Sequence, residues 1–306
     1  MSLSAEGFAL LRMHLVDGLG PRRLAAIVSA FGSARAAWRE GPDAWRDAAG
    51  VPLSVVQAAH ETGPERVRRE LDRLEALGGW VITLDDESYP ELLRNTSRPP
   101  AALFGLGRLP REPAIAIVGT RRPTPSGRRT AAELAGELAR GGVVITSGMA
   151  FGIDAEAHRA CLEAGGLTVA VLGHGLDRCY PPAHRPLMER IAARGAVITE
   201  FPLGTEPRAG LFPARNRLIA GMSVATVVVE ASLRSGAMIT ATAAAEEGRE
   251  VFAVPGDVHR WASKGPHQLL REGAVLTESA ADIWAALPAL RPGGPDGAEK
   301  PSVYNP

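Results

Sequence analysis

Between residues 113 and 287, short apolar runs alternate with segments whose apolar residues recur every three or four positions. The runs Ala114 to Val118, Val143 to Thr146, Thr168 to Leu172, Ala196 to Thr199, Ala225 to Val229, Glu250 to Val254 and the shorter Ala274 to Leu276 predict strands. The periodic segments Thr130 to Arg140, Ile153 to Ala164, His184 to Ala193, Asn216 to Ala220 and Thr240 to Glu247 predict helices between them. Strands that are apolar throughout and separated by helices imply an α/β domain, with a mostly parallel sheet covered on both faces. Right-handed crossovers then bring the C-terminal ends of the strands to one side, where functional loops gather.

Outside this region the pattern changes. Residues 5 to 76 read as a small helical domain: Leu10, Leu11, His14 and Leu15 share one helical face, and Leu24, Ile27, Val28 and Phe31 begin another. The turn between them, Gly18-Leu19-Gly20-Pro21, serves equally as a helix-hairpin-helix that meets a phosphate or as a plain structural hairpin. Phe31, Trp38 and Trp45 are expected in the bundle core. Residues 77 to 112 are punctuated by proline and glycine, with short extended pieces around Trp80 to Leu84 and Ala101 to Gly107, and are expected as a lead-in packed on the main domain. Residues 288 to 306, rich in proline and glycine and without periodicity, are expected to be a disordered tail.

Composition narrows the function classes. The 306 residues are 45% hydrophobic and 22% charged, as in an ordinary globular protein. Thirty-four basic residues balance thirty-four acidic ones, so a polyanion surface has to come from the placement of charge. Cys161 and Cys179 are too few for a disulfide scaffold or a structural zinc site. No apolar run approaches the ~20 residues that span a bilayer, and no leader pattern opens the chain, so no membrane association and a cytoplasmic location are expected.

The candidate chemistry lies in the loops that follow the strands. After the first comes Gly119-Thr-Arg121-Arg122-Pro-Thr-Pro-Ser126-Gly127-Arg128, where Ser126 is expected to cap a helix whose free N–H groups, with Arg121 and Arg128, attract an anion. Arg121 stands where a dinucleotide fingerprint needs its second glycine, and a P-loop lysine is missing as well. The next loop, Ser147-Gly148-Met149-Ala-Phe-Gly152-Ile-Asp154, combines permissive glycines with a hydroxyl; Asp154 and His158 share a helical face, as an acid–base pair or as a cap and its partner. Tyr180, in Arg178-Cys-Tyr180-Pro181-Pro182, is able to stack on a base or to pack its turn. Glu200 ends the fourth strand, either as an acid or as the orienter of an arginine. Arg215-Asn216-Arg217 suits an anion site, one arginine taking ligand and the other an internal carboxylate such as Glu230. Lys264 precedes the last helix. No nucleophile with an obvious base, metal-binding spacing or carboxylate cluster accompanies these turns, so neither cofactor nor metal is expected and binding is favoured over catalysis. The alternative is a nucleotide- or phosphoribosyl-processing enzyme with Arg121 on phosphate and Glu200 or Glu230 as acid or base.

Taken in order, several segments resemble the DNA-processing protein A (DprA/Smf) family of bacterial recombination mediators. They include Gly119-Thr-Arg121, Ser147-Gly-Met-Ala-x-Gly-Ile-Asp154, Gly173-x-Gly-Leu-Asp177-x-x-Tyr180-Pro181, Glu200-Phe-Pro-x-Gly204, Phe212-x-x-Arg215-Asn-Arg217 and Gly248-Arg-x-Val-Phe-Ala-Val-Pro255-Gly256. The resemblance implies an extended Rossmann-like domain that binds single-stranded DNA in a basic pocket, forms a homodimer through that domain, and loads RecA onto DNA during natural transformation. Residue by residue it implies DNA-binding roles for Arg121, Ser147, Gly148, Met149, Arg215 and Asn216; with Arg122, Ser126, Arg128, Tyr180 and Lys264 from the loops read above, these are the candidate DNA-binding residues, and a non-catalytic role is expected. Gly265-Pro266-His267 departs from the family's Gly-x-Asn, and no helix-turn-helix pattern follows, so duplex binding through a C-terminal winged helix is not expected.

Overall fold

A computed structural model describes residues 3–292. The calls on residues 293 to 306 fall outside that range. The described residues divide into two compact units, one made of residues 3–107, 172–179 and 197–215, the other of 108–171, 180–196 and 216–292.

The first unit opens with helices α1 (Ala5–His14), α2 (Pro21–Phe31), α3 (Ala34–Glu40), α4 (Pro42–Ala49), α5 (Leu53–Glu61) and α6 (Pro64–Ala76). Local chemistry punctuates them: the hydroxyls of Ser4 and Ser33 accept from the first turns of α1 and α3, and prolines open α2, α4 and α6, where a missing N–H costs nothing. Trp45 is fully buried, its indole N–H donating to the Ala37 carbonyl at 2.9 Å, and Trp38 meets it edge-on at 4.7 Å between centroids. The Arg12 guanidinium lies 3.6 Å from the centre of the Trp38 ring. Phe31 packs partly buried against the same core.

Strand β1 (Trp80–Thr83), helix α7 (Glu91–Arg94) and strand β2 (Ala102–Gly107) follow, with β1 antiparallel to β2. The boundary expected near residue 76 does not separate the compact units. Ala101 is buried inside the helical core and Leu84 packs against it, so this segment belongs with the helices.

The rest of the chain supplies β3 (Ala114–Val118), α8 (Pro125–Arg140), β4 (Val144–Ser147), α9 (Ile153–Glu163), β5 (Thr168–Val171), α10 (Arg185–Arg194), β6 (Ala196–Thr199), α11 (Leu211–Gly221), β7 (Ala225–Val228), α12 (Gly236–Glu246), β8 (Glu250–Ala253), α13 (Lys264–Arg271), β9 (Val275–Leu276) and α14 (Ala280–Ala286). Within the second unit the strands lie in the order β5-β4-β3-β7-β8-β9. These strands pair in parallel throughout. The fold is therefore α/β with a mostly parallel sheet and an N-terminal helical region.

Parallel strands covered on both faces explain the apolar runs. Ile115, Ile117, Ile145, Val227 and Phe252 meet Leu134, Ala135 and Leu138 of α8 and Ala157 and Cys161 of α9 in one buried cluster. The order of strands reverses between β3 and β7: the chain proceeds from β3 to β4 and β5 on one side, then returns to β7 and β8 on the other. In sheets of this kind the crevice at such a reversal is the usual ligand position.

Candidate functional site

In the second unit, the segments that follow three strands, with α8 and α9, build an open cleft of 570 Å³ lined by Arg121, Arg122 and Arg128, by Phe151, Gly152, Ala155 and Arg159, and by Ala183 and His184. The first group follows β3, the second follows β4 and the third follows β5, so neighbouring parallel strands project them from the same sheet edge. The cleft carries four guanidinium groups, of which Arg128 and Arg159 share the Glu156 carboxylate, at 3.9 Å from Arg128 Nη1 and 3.6 Å from Arg159 Nη1. The cleft is thus cationic within a chain whose formal charge is zero.

Two details shape its floor. Gly152 has φ +82° and packs so closely on the preceding loop that a Cβ there would lie 2.8 Å from the Arg121 carbonyl carbon, a fit that only glycine allows. Phe151 beside it is 48% exposed, and its ring stands edge-on to His184 at 4.8 Å. The His184 Nδ1–H donates to the Met149 carbonyl at 2.9 Å, fixing the imidazole under that aromatic ring.

The Ser147-to-Asp154 turn supports this floor from inside. Ser147 is fully buried and its hydroxyl donates to the Ile117 carbonyl at 2.6 Å; Met149 is equally buried, with φ 55°. The expected ligand contacts through these two side chains are therefore corrected, because both are sealed beneath the loop. Gly148 N–H and Ala150 N–H donate to Asp154 Oδ2 at 3.2 and 3.4 Å, so Asp154 ties the turn instead of capping α9, whose N-cap is Gly152. His158 Nδ1 lies 2.6 Å from Thr168 Oγ1 in the interior.

Ser126 needs a second correction. The N-cap of α8 is Thr124, whose side chain accepts from Gly127 N–H at 3.0 Å, and Pro125 takes the first helical position. Ser126 instead lines a separate 490 Å³ cavity at the reversal between β3 and β7, together with Glu230, Val254, Asp257 and Arg260. Here the Glu230 carboxylate sits on the first turn of α8, accepting from Thr124 N–H at 2.9 Å and from the Thr124 hydroxyl at 2.5 Å. The helix terminus expected to attract an external anion already holds an internal one.

The other candidates are not among the residues that line the cleft. Tyr180 is 42% exposed and precedes a cis peptide bond to Pro181. Arg215 and Asn216 begin the buried part of α11, at 4% and 8% exposure, and Asn216 Nδ2 donates to the Gly236 carbonyl at 3.0 Å. That burial gives the pair a packing role which sequence alone does not display. Lys264 Nζ donates to the Val258 carbonyl at 2.7 Å. Arg178 pairs with Glu206 at 3.9 Å, and Glu200 is buried. Phe151, Arg159 and His184 are cleft residues absent from the expected set; the signal for Phe151 was an aromatic residue directly before a glycine in a loop that leaves a strand.

Residues 80–288 match the family described as DNA recombination-mediator protein A. The chain belongs to that family. It is 38% identical over 285 residues to the protein Smf of Synechocystis, an alignment covering 90% of this chain and 71% of that protein. Among solved structures, DNA processing protein A (DprA) from Streptococcus pneumoniae superposes with a TM-score of 0.83 at 31% identity, covering 93% of this chain and 98% of that one. DNA processing protein A from Helicobacter pylori, described for its single-stranded DNA binding mode, superposes with a TM-score of 0.62 at 30% identity over 70% of this chain and 97% of that one. Among the described residues no helix is long and apolar enough to cross a membrane.

Proposed function

We propose that this member of the family is a single-stranded DNA-binding protein whose arginine cleft grips the phosphate backbone, and that it acts in natural transformation by delivering DNA to RecA. The observation that carries the reading is the convergence of Arg121, Arg122, Arg128 and Arg159 around an exposed aromatic ring. Guanidinium groups suit phosphate oxygens, and a ring such as Phe151 offers a sequence-tolerant face for one base. The Helicobacter relative's described binding mode supports the same ligand class. The role is one of binding without turnover, and the acting species is a homodimer assembled through the α/β domain.

The test is titration of a labelled oligonucleotide by the wild type and by Arg121→Ala and Arg122→Ala at several salt concentrations. Each variant is expected to bind all sequences more weakly and to lower the magnitude of the log–log salt slope by about 0.7, the value for one lost single-strand phosphate contact. Unchanged affinity in both variants would remove the cleft as the DNA site.

A further inference from the structure

One residue holds both ends of the turn that carries Arg121 and Arg122. Glu230 follows β7, immediately across from β3 in the sheet. Its backbone carbonyl accepts from Thr120 N–H at 2.6 Å, on the near side of the two arginines. Its carboxylate accepts from Thr124 N–H and from the Thr124 hydroxyl, on the far side. The same hydroxyl accepts from Gly127 N–H at 3.0 Å, so a continuous chain of hydrogen bonds runs from the first turn of α8 through Thr124 to Glu230. Gly127 makes room for this arrangement: a Cβ there would lie 2.6 Å from either carboxylate oxygen. Glu230 itself is not among the residues lining the arginine cleft.

We propose that Glu230 is a positioning residue for the arginine cleft, fixing the Thr120–Thr124 turn so that Arg121 and Arg122 present their guanidinium groups together. The inference rests on the cleft being the polyanion site. It makes a prediction opposite in sign to simple electrostatics. Removing a negative charge near a cationic site should tighten DNA binding, whereas releasing the turn should weaken it. An amide at position 230 keeps the size of the side chain but puts an NH2 donor in place of one of the two oxygens that meet the Thr124 N–H and the Thr124 hydroxyl separately, so one of these donors faces a donor in this geometry.

The experiment measures oligonucleotide affinity and its salt dependence for the full chain and for Glu230→Gln, Arg121→Ala and the double variant, with thermal melts as a check on folding. Glu230→Gln is expected to bind about tenfold more weakly, the loss that follows from one charged hydrogen bond, and with a shallower salt slope. The double variant is expected to lose little beyond the worse of the single changes, because Glu230 acts through the arginine turn. Thr124→Val, which removes the hydroxyl from the same chain of bonds, is expected to reproduce the loss, and Thr124→Ser to recover most of it. Should Glu230→Gln fail to fold, the Thr124 pair decides the matter alone. Equal or tighter binding by Glu230→Gln, with Arg121→Ala still weakened, would overturn the positioning role while leaving the cleft intact. Unchanged binding by Arg121→Ala and by Arg122→Ala would overturn both.

Discussion

Cys161 shows how far burial alone determines the chemistry of a side chain. It is fully buried in the core between α9 and the sheet, where desolvation pushes its thiol up to about 12, only partly offset by a backbone hydrogen bond and by Arg194. At neutral pH it is a packing residue with no thiolate to offer. In the native protein a thiol-specific reagent is therefore expected to leave Cys161 unmodified for hours, while denaturant exposes it to rapid labelling; mass spectrometry of the labelled peptides distinguishes the two. The same principle separates residues that the sequence made legible from those it did not. Arg121, Arg122 and Arg128 could be read because an arginine run after a strand has no packing rationale. Ser147 and Met149 could not, because their burial depends on the Ile117 carbonyl and on His184, which arrive from other parts of the chain.

At the scale of elements, the strands were legible almost to the residue, since a parallel strand buried on both faces is an uninterrupted apolar run. Helix starts were less so. α11 begins at Leu211 and α12 at Gly236, each several residues ahead of where apolar periodicity becomes visible, because a first turn is defined by its caps more than by its core contacts. The cap of α14 illustrates the energetics. Asp282 accepts from the backbone N–H groups of Glu278 and Ser279 at 2.9 Å each, completing a capping box with Ser279, and these bonds hold its carboxyl below the usual carboxylate range. A carboxyl whose folded value is depressed contributes stability that is present above its unfolded value and is lost as pH falls through the folded one. Asp282→Asn is accordingly expected to lower stability by about 1 kcal/mol at pH 7, with the deficit disappearing in strong acid, as followed by chemical denaturation across pH.

For the whole molecule, charge balance limits how DNA can be held. Thirty-four basic and thirty-four acidic residues leave no net charge, so the function proposed above needs a local attraction, which the four arginines of the cleft would supply. At about 0.7 per single-strand phosphate contact, a cleft of this size predicts a log–log salt slope no steeper than about −3. A markedly steeper slope, measured by fluorescence anisotropy from low to moderate salt, would mean that the strand continues onto a second surface. The α/β architecture was visible from the alternation of runs and periodic segments, whereas the grouping of residues 77 to 107 with the helices was not, because it depends on where Ala101 and Leu84 find their core. The reversal between β3 and β7 has one more consequence, best expressed as competition. A free phosphate approaching the first turn of α8 contends with a carboxylate tethered at Glu230, a competitor whose effective concentration, millimolar or higher for a short tether, does not fall on dilution. The molecule thus sets one of its own carboxylates at the position where sheets of this design ordinarily take a nucleotide.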